Sequence, residues 1–203
     1  MKKFVITFGT CVLLAVLVWV GTVLADRQHL NEDLIRLHVV AESDSVTDQQ
    51  TKLRVRDAVT AFLQTNMDPG MDTEEAKQWL QTHLPQISDA VNTALSVCNP
   101  GVAAAVSFQK EAFPTRIYDT FTLPSGVYES LRITIGEGQG KNWWCVIFPS
   151  LCLPATTEGF EAAAVGAGFP DSLAGALIGE KPYRIRFFVL DCLGWLENFL
   201  FRG

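Results

Sequence analysis

The chain has 203 residues, with 16 Lys and Arg against 22 Asp and Glu, for a formal net charge of −6 at pH 7. That sign argues against a protein that works by neutralising phosphates, so nucleic acid is not an expected partner. At 48% hydrophobic and 19% charged residues the chain is too apolar for wholesale disorder, and 15 Gly with 9 Pro fit no fibrous repeat.

Met1-Lys2-Lys3 gives a basic start, and Phe4 to Ala25 then runs without a charge. The run closes on Val23-Leu24-Ala25 before Asp26, the small-x-small pattern read by a signal peptidase. Two readings stand: a signal peptide cleaved after Ala25, or a retained N-terminal anchor, since about 20 apolar residues suffice to cross a bilayer. Both place the remainder outside the cytoplasm, because Lys2 and Lys3 stay inside. Residues 26–33 are polar and read as a lead-in.

Beyond this segment four cysteines remain: Cys98, Cys145, Cys152 and Cys192. An even count in an oxidising setting favours disulfides. Three full pairings are open, Cys145 with Cys152 being preferred as closest in sequence; the alternative is free buried thiols.

A core domain is expected over 34–155. Leu34 to Val40 is rich in β-formers and reads as a strand. Ser45 with Asp48 three residues on predicts a helix N-cap, and the helix should run from Thr47 to Gln64 with Val55, Val59 and Phe62 inward. Asp72 and Glu75 predict a capping box. The helical period that follows continues to Leu95, with Pro85 kinking or splitting it. After Gly101 the period changes to two, giving strands over Val102–Phe108, Val127–Ile135 and Trp143–Phe148. The last two read as a β-hairpin joined by the glycine-rich 136–140 loop. Residues 156–180 are rich in Ala and Gly and read as a linker. Over 181–203, Tyr183 to Leu190 reads as a strand and Cys192 to Phe201 as a short apolar helix. That helix would pack back on the domain or meet a partner or a membrane surface. The fold class is α+β: two amphipathic helices on a mostly antiparallel sheet, behind an export signal.

Few constellations promise chemistry. Gly136-x-Gly138-x-Gly140-Lys141 lacks the spacing and the Ser or Thr of a phosphate loop, and Trp143-Trp144 opens a strand where a dinucleotide fingerprint needs a helix. His29, His38 and His83 are isolated, and no CxxC or HExxH exists, so no metal site and no cofactor are expected. A Cys145/His38 dyad is conceivable, but an exported Cys with a neighbour seven residues away is more often oxidised. No catalytic residues are therefore assigned. Trp143-Trp144 is the most unusual dipeptide: on a strand the two rings point to opposite faces, so one can fill the core while the other lies on a second layer, on solvent, or on a partner as a binding anchor.

Three stretches together carry a resemblance. They are IRLHVVAESDSVTDQQTKLRVRDAV (Ile35 to Val59), FPTRIYDTFTLPSGVYESLRITIGEGQGKNWWCVIFPSLC (Phe113 to Cys152) and RFFVLD from Arg186. In this order behind an export signal, the chain resembles the stage II sporulation protein R family of endospore-forming Firmicutes. The resemblance implies a non-enzymatic signal made in the forespore. It would be exported to the space between forespore and mother cell, where it activates a membrane-embedded aspartic-type protease of the mother cell. That protease processes a sigma-factor precursor; neither nucleic acid nor a small-molecule substrate is implied. The family supplies no catalytic residues to transfer. The contact residues expected here are Trp143, Trp144 and Phe148, with Arg54, Arg56 and Asp57. The alternative is an envelope hydrolase or peptidase with an unrecognised site.

Overall fold

The computed structural model describes residues 2–68, 70–118, 121–148, 169–179 and 184–202. The helices are α1 (Lys2–Asp33), α2 (Val46–Asn66), α3 (Thr73–Thr82), α4 (Leu84–Cys98), α5 (Asp171–Ile178) and α6 (Arg184–Arg202). The strands are β1 (Ile35–Val40), β2 (Ala104–Phe113), β3 (Arg116–Ile117), β4 (Thr122–Leu123), β5 (Gly126–Ile135) and β6 (Asn142–Phe148).

Local signals set the helices on one face. Ser45 caps α2, its hydroxyl accepting from the Asp48 amide at 3.1 Å. Asp72 and Glu75 form the reciprocal capping box of α3, at 2.8 and 3.0 Å. Pro85 falls in the first turn of α4, where its missing N–H costs nothing, and the chain breaks at His83. So the two expected helices are three. Val55, Val59, Leu80, Ile87, Val91 and Leu95 pack against Ile35, Leu37, Val39, Leu131 and Ile133 of the sheet.

The four-stranded sheet has the order β2-β5-β1-β6, with two antiparallel pairings and one parallel pairing between β1 and β5. It is the mostly antiparallel α+β sheet expected. The expected β5–β6 hairpin does not form, because β1 lies between the two strands. The Gly136–Lys141 connection therefore spans two strand spacings, about 9.6 Å, and arches over the end of β1. The amides of Gln139 and Gly140 donate to the carbonyls of Glu42 and Ala41 at 3.1 and 2.9 Å, and Lys141 N–H to Asp44 at 2.7 Å. Gly140 passes so close to the Ser43 carbonyl that a Cβ would collide with it. Local sequence could not separate this arch from a hairpin loop, since the inserted strand comes from about 90 residues earlier.

The second face of the sheet is also covered. Leu30 of α1, Leu173 and Leu177 of α5 and Leu190 of α6 pack with Phe113, Leu123, Tyr128 and Val146. Residues 26–33, expected as a lead-in, are the last turns of α1, which continues through Ala25 without a break. Residues 169–178, expected within a linker, supply α5 and the buried Phe169; 156–168 lie outside the described residues. The expected strand over 183–190 is instead helical from Arg184, continuous with the C-terminal helix. Its alternation of Arg184, Arg186 and aliphatic residues resembled a strand, but Phe187, Leu190 and Leu193 repeat at three residues and touch the core.

Polar side chains seat α6. Asp26 pairs with Arg186, and Arg27 pairs with Glu197. Arg27 also donates to the Ser125 carbonyl at 3.2 Å. Asp191 accepts from the Thr115 hydroxyl at 2.5 Å and the Ser125 amide at 2.7 Å. Asn198 donates to the Phe113 carbonyl at 2.7 Å.

Candidate functional site

β6 is the edge of the four-stranded sheet, and its pleat sends Trp143 and Trp144 to opposite faces, as their adjacency requires. Trp143 packs on the helix-side cluster and Trp144 on the other. Both rings are half-buried, but their surroundings differ.

Trp144 is built into the fold. Its ring stacks on His38 with centroids 3.6 Å apart and meets Phe113 edge-on at 4.7 Å. The Arg116 guanidinium lies 5.2 Å from its centroid. Beneath it runs a polar row with one side chain from each strand. His38 Nδ1 lies 2.9 Å from Glu111 Oε1, His38 Nε2 lies 3.0 Å from Asn142 Oδ1, and Arg132 pairs with the same Glu111 oxygen. Burial acts to raise the Glu111 carboxyl, but the His38 hydrogen bond and charge, with the Arg132 charge, outweigh it and hold the pKa below its ordinary value. His38 is 3% exposed, so the row reads as internal cross-bracing.

Arg36, the neighbouring inward residue of β1, is fully buried. It donates to the Tyr118 hydroxyl at 2.7 Å and lies 4.1 Å from the Phe113 ring centroid and 5.1 Å from that of Tyr128. Its guanidinium thus lies against two aromatic faces. Tyr128 donates to the Pro124 carbonyl at 2.7 Å, and burial pushes its phenol up to about 12.

Trp143 belongs to a surface cluster. The Arg56 guanidinium of α2 sits 5.0 Å from its ring centroid and pairs with Asp57 at 2.5 Å. Arg54 is exposed on the same helix. Nearby, Lys52 bridges α2 to the glycine arch, donating to Gln49 at 2.7 Å and to the Lys141 carbonyl at 2.9 Å; burial lowers its pKa. The Ser43 and Ser45 hydroxyls lower the pKa of Asp48 at the α2 N-terminus.

The structure therefore brings together Trp143, Arg56 and Asp57 and sends Trp144 to the far face. Phe148, expected at the contact surface, is 7% exposed within the helix-side core. A register shift between β1 residues Ile35 and Arg36 pairs Val146 and Phe148 with successive β1 residues. Ile147 and Phe148 therefore share one cluster. Cys145 is half-buried on β6, and its expected partner Cys152 lies outside the described residues. No group of three metal-ligating side chains occurs among the described residues. Sequence reasoning missed the row through His38 and Glu111; its one visible signal was Arg36 and His38 alternating with Ile35, Leu37 and Val39.

The family model described as stage II sporulation protein R matches residues 31–158, from the last turn of α1 through every strand. The chain belongs to the stage II sporulation protein R family. A member from Bacillus subtilis (strain 168), stage II sporulation protein R, is 39% identical over 121 residues. The match covers 60% of this chain and 54% of that protein, so the chain spans about half the length of its curated relative. No solved structure matches. Family membership makes this a sporulation protein, and its N-terminal apolar helix, long enough to cross a membrane, suits an export signal or an anchor. The matched region holds Trp143, Trp144, Arg54, Arg56 and Asp57, while α5 and α6 lie beyond it.

Proposed function

We propose that this protein is an exported signal of sporulation. It acts in the space between forespore and mother cell by binding a membrane-embedded aspartic-type protease of the mother cell. That protease then processes a sigma-factor precursor. Family membership is the observation that carries this reading, supported by the apolar N-terminal helix.

Activation by a ligand requires that it bind the active state of its receptor better than the inactive one. Moving that equilibrium from 1:99 to 99:1 takes about 5.5 kcal/mol of preference. A cluster of one Trp with Arg side chains is the kind of surface that supplies such energy, because Trp and Arg dominate interface hot spots. Trp143 with Arg56 and Asp57 is the contact surface in this reading, while Arg54 lies on the opposite flank of α2. Trp144 supports it from behind the strand.

Co-expression in a non-sporulating host tests the reading. The protease and the sigma precursor are produced with and without the full exported chain. Processing is expected only with the chain present, and with Trp143→Ala it is expected to fall to the level without the chain. Equal processing in the presence and absence of the chain overturns the reading.

A further inference from the structure

Helix α6 is apolar on two sides. Its inward side packs Phe187, Leu190 and Leu193 into the core and carries Arg186, Asp191, Glu197 and Asn198, all bonded to the domain. Its outward side carries Ile185 (72% exposed), Phe188 (67%), Trp195 (66%), Phe199 (65%) and Leu200 (70%), with Cys192 and Leu196 also exposed. These positions repeat at three and four residues and form one stripe along the helix. On a water-soluble domain the outward side of a surface helix is polar instead. An apolar stripe this long, rimmed by little charge, marks a surface that is covered in use.

The position of α6 relative to α1 identifies what covers it. Near the start of α6, Arg186 meets Thr22 and Asp26 of α1. Near its end, Leu200 and Phe201 line one cavity together with α1 residues from Leu24 to Glu32. Arg186 and Phe201 are about 22 Å apart along α6, whereas the α1 residues beside them, Thr22 to Glu32, span about 15 Å, so the two helices are inclined to each other. So α6 runs across α1 at the level where the charge-free run ends. Leu24 is itself exposed, and it shares with Leu200 and Phe201 a cavity whose other walls are largely polar. With α1 in a bilayer, α6 falls in the plane of the interface, where Trp side chains are favoured.

We propose that the outward stripe of α6, from Ile185 to Leu200, lies in the surface of the lipid bilayer that α1 enters. The domain is thereby held against the membrane at two places, and its orientation is fixed. This goes beyond the signalling reading and does not depend on it.

The full chain tests this directly. Cys192 lies on the stripe and is kept as the single thiol in a variant with Ser at positions 11, 98, 145 and 152, then labelled with an environment-sensitive fluorophore. A matched variant carries the label at Val97→Cys, on the exposed surface of α4. Both are reconstituted into vesicles of phosphatidylethanolamine and phosphatidylglycerol. Spin-labelled lipids are expected to quench the Cys192 probe severalfold more strongly than the probe at 97, while iodide quenches the probe at 97 more. Equal lipid quenching at the two sites overturns the proposal. So does a Cys192 probe shielded from iodide but untouched by lipid quencher, which would mean a protein covers the stripe. A photoactivatable phenylalanine at Phe199 asks the same question with every cysteine in place: phospholipid adducts support the proposal, and adducts to protein alone contradict it.

Discussion

The backbone of α6 at Gly194 rests directly on the carbonyl of Ser125, with no room between them for a Cβ. Ser125 also gives its amide and hydroxyl to Asp191, one turn earlier on the same helix. In an exposed helix interior, Gly to Ala adds about 1 kcal/mol of stability. Here the sign should reverse. Gly194→Ala is expected to lower stability by about 1–3 kcal/mol through forced displacement and to expose α6 to protease. Denaturant unfolding of the full chain in mild detergent, with limited proteolysis, measures both.

The two tryptophans should separate fold from function. Trp144 is packed on His38 and Phe113, so Trp144→Ala is expected to cost about 3–5 kcal/mol and to loosen the sheet. Trp143 sits at the edge under Arg56, and its loss is expected to cost less than about 2 kcal/mol. Thermal unfolding of the two variants ranks them. A folded Trp143→Ala chain that still supports full processing would remove this ring from the contact surface.

Much of the helical side was legible because its signals are local. Ser45, the Asp72/Glu75 box and Pro85 each act within one turn. The β5–β6 connection was misread because the strand inserted between them is distant in sequence, and nothing in a six-residue Gly-rich loop records how far it must reach. Residues 184–202 were misread in part because Arg186 and Asp191 point inward, which disguises the helical stripe. At the site, the opposed faces of Trp143 and Trp144 followed from adjacency alone. The face on which Phe148 is buried did not, since a bulge reverses the pleat there. The row through His38 and Glu111 draws one residue from each of four strands, and no spacing rule connects them.

Glu111 makes the sheet sensitive to acid. Its folded pKa lies below the ordinary 4.5, so the ionised carboxylate is favoured by folding. That contribution is complete above about pH 4.5 and is lost as pH falls through the folded value. Glu111→Gln keeps an acceptor oxygen for His38 and Arg132 but removes the carboxylate charge they share, and is expected to cost about 1.5–3 kcal/mol at pH 7. The gap to the parent should narrow below pH 4.5. Unfolding midpoints taken from pH 7 to pH 3 check this, and a gap constant with pH would contradict it.

Helix α1 is expected to remain joined to the exported domain as an anchor. Val23 is buried in the core, Thr22 meets Arg186, and the helix does not break at Ala25. Mass spectrometry of the exported product is expected to give the full 22.4 kDa. A product beginning at Asp26 would show that the helix serves only as an address.

In the proposed role the chain acts by binding the protease and makes or breaks no bonds itself. The most direct measurement uses purified full-length chain, reconstituted in vesicles with the protease and the sigma precursor. Precursor cleavage is expected to rise with chain concentration and saturate, and the chain without protease is expected to cleave nothing. Cleavage by the chain alone, or a protease rate indifferent to its presence, would contradict it.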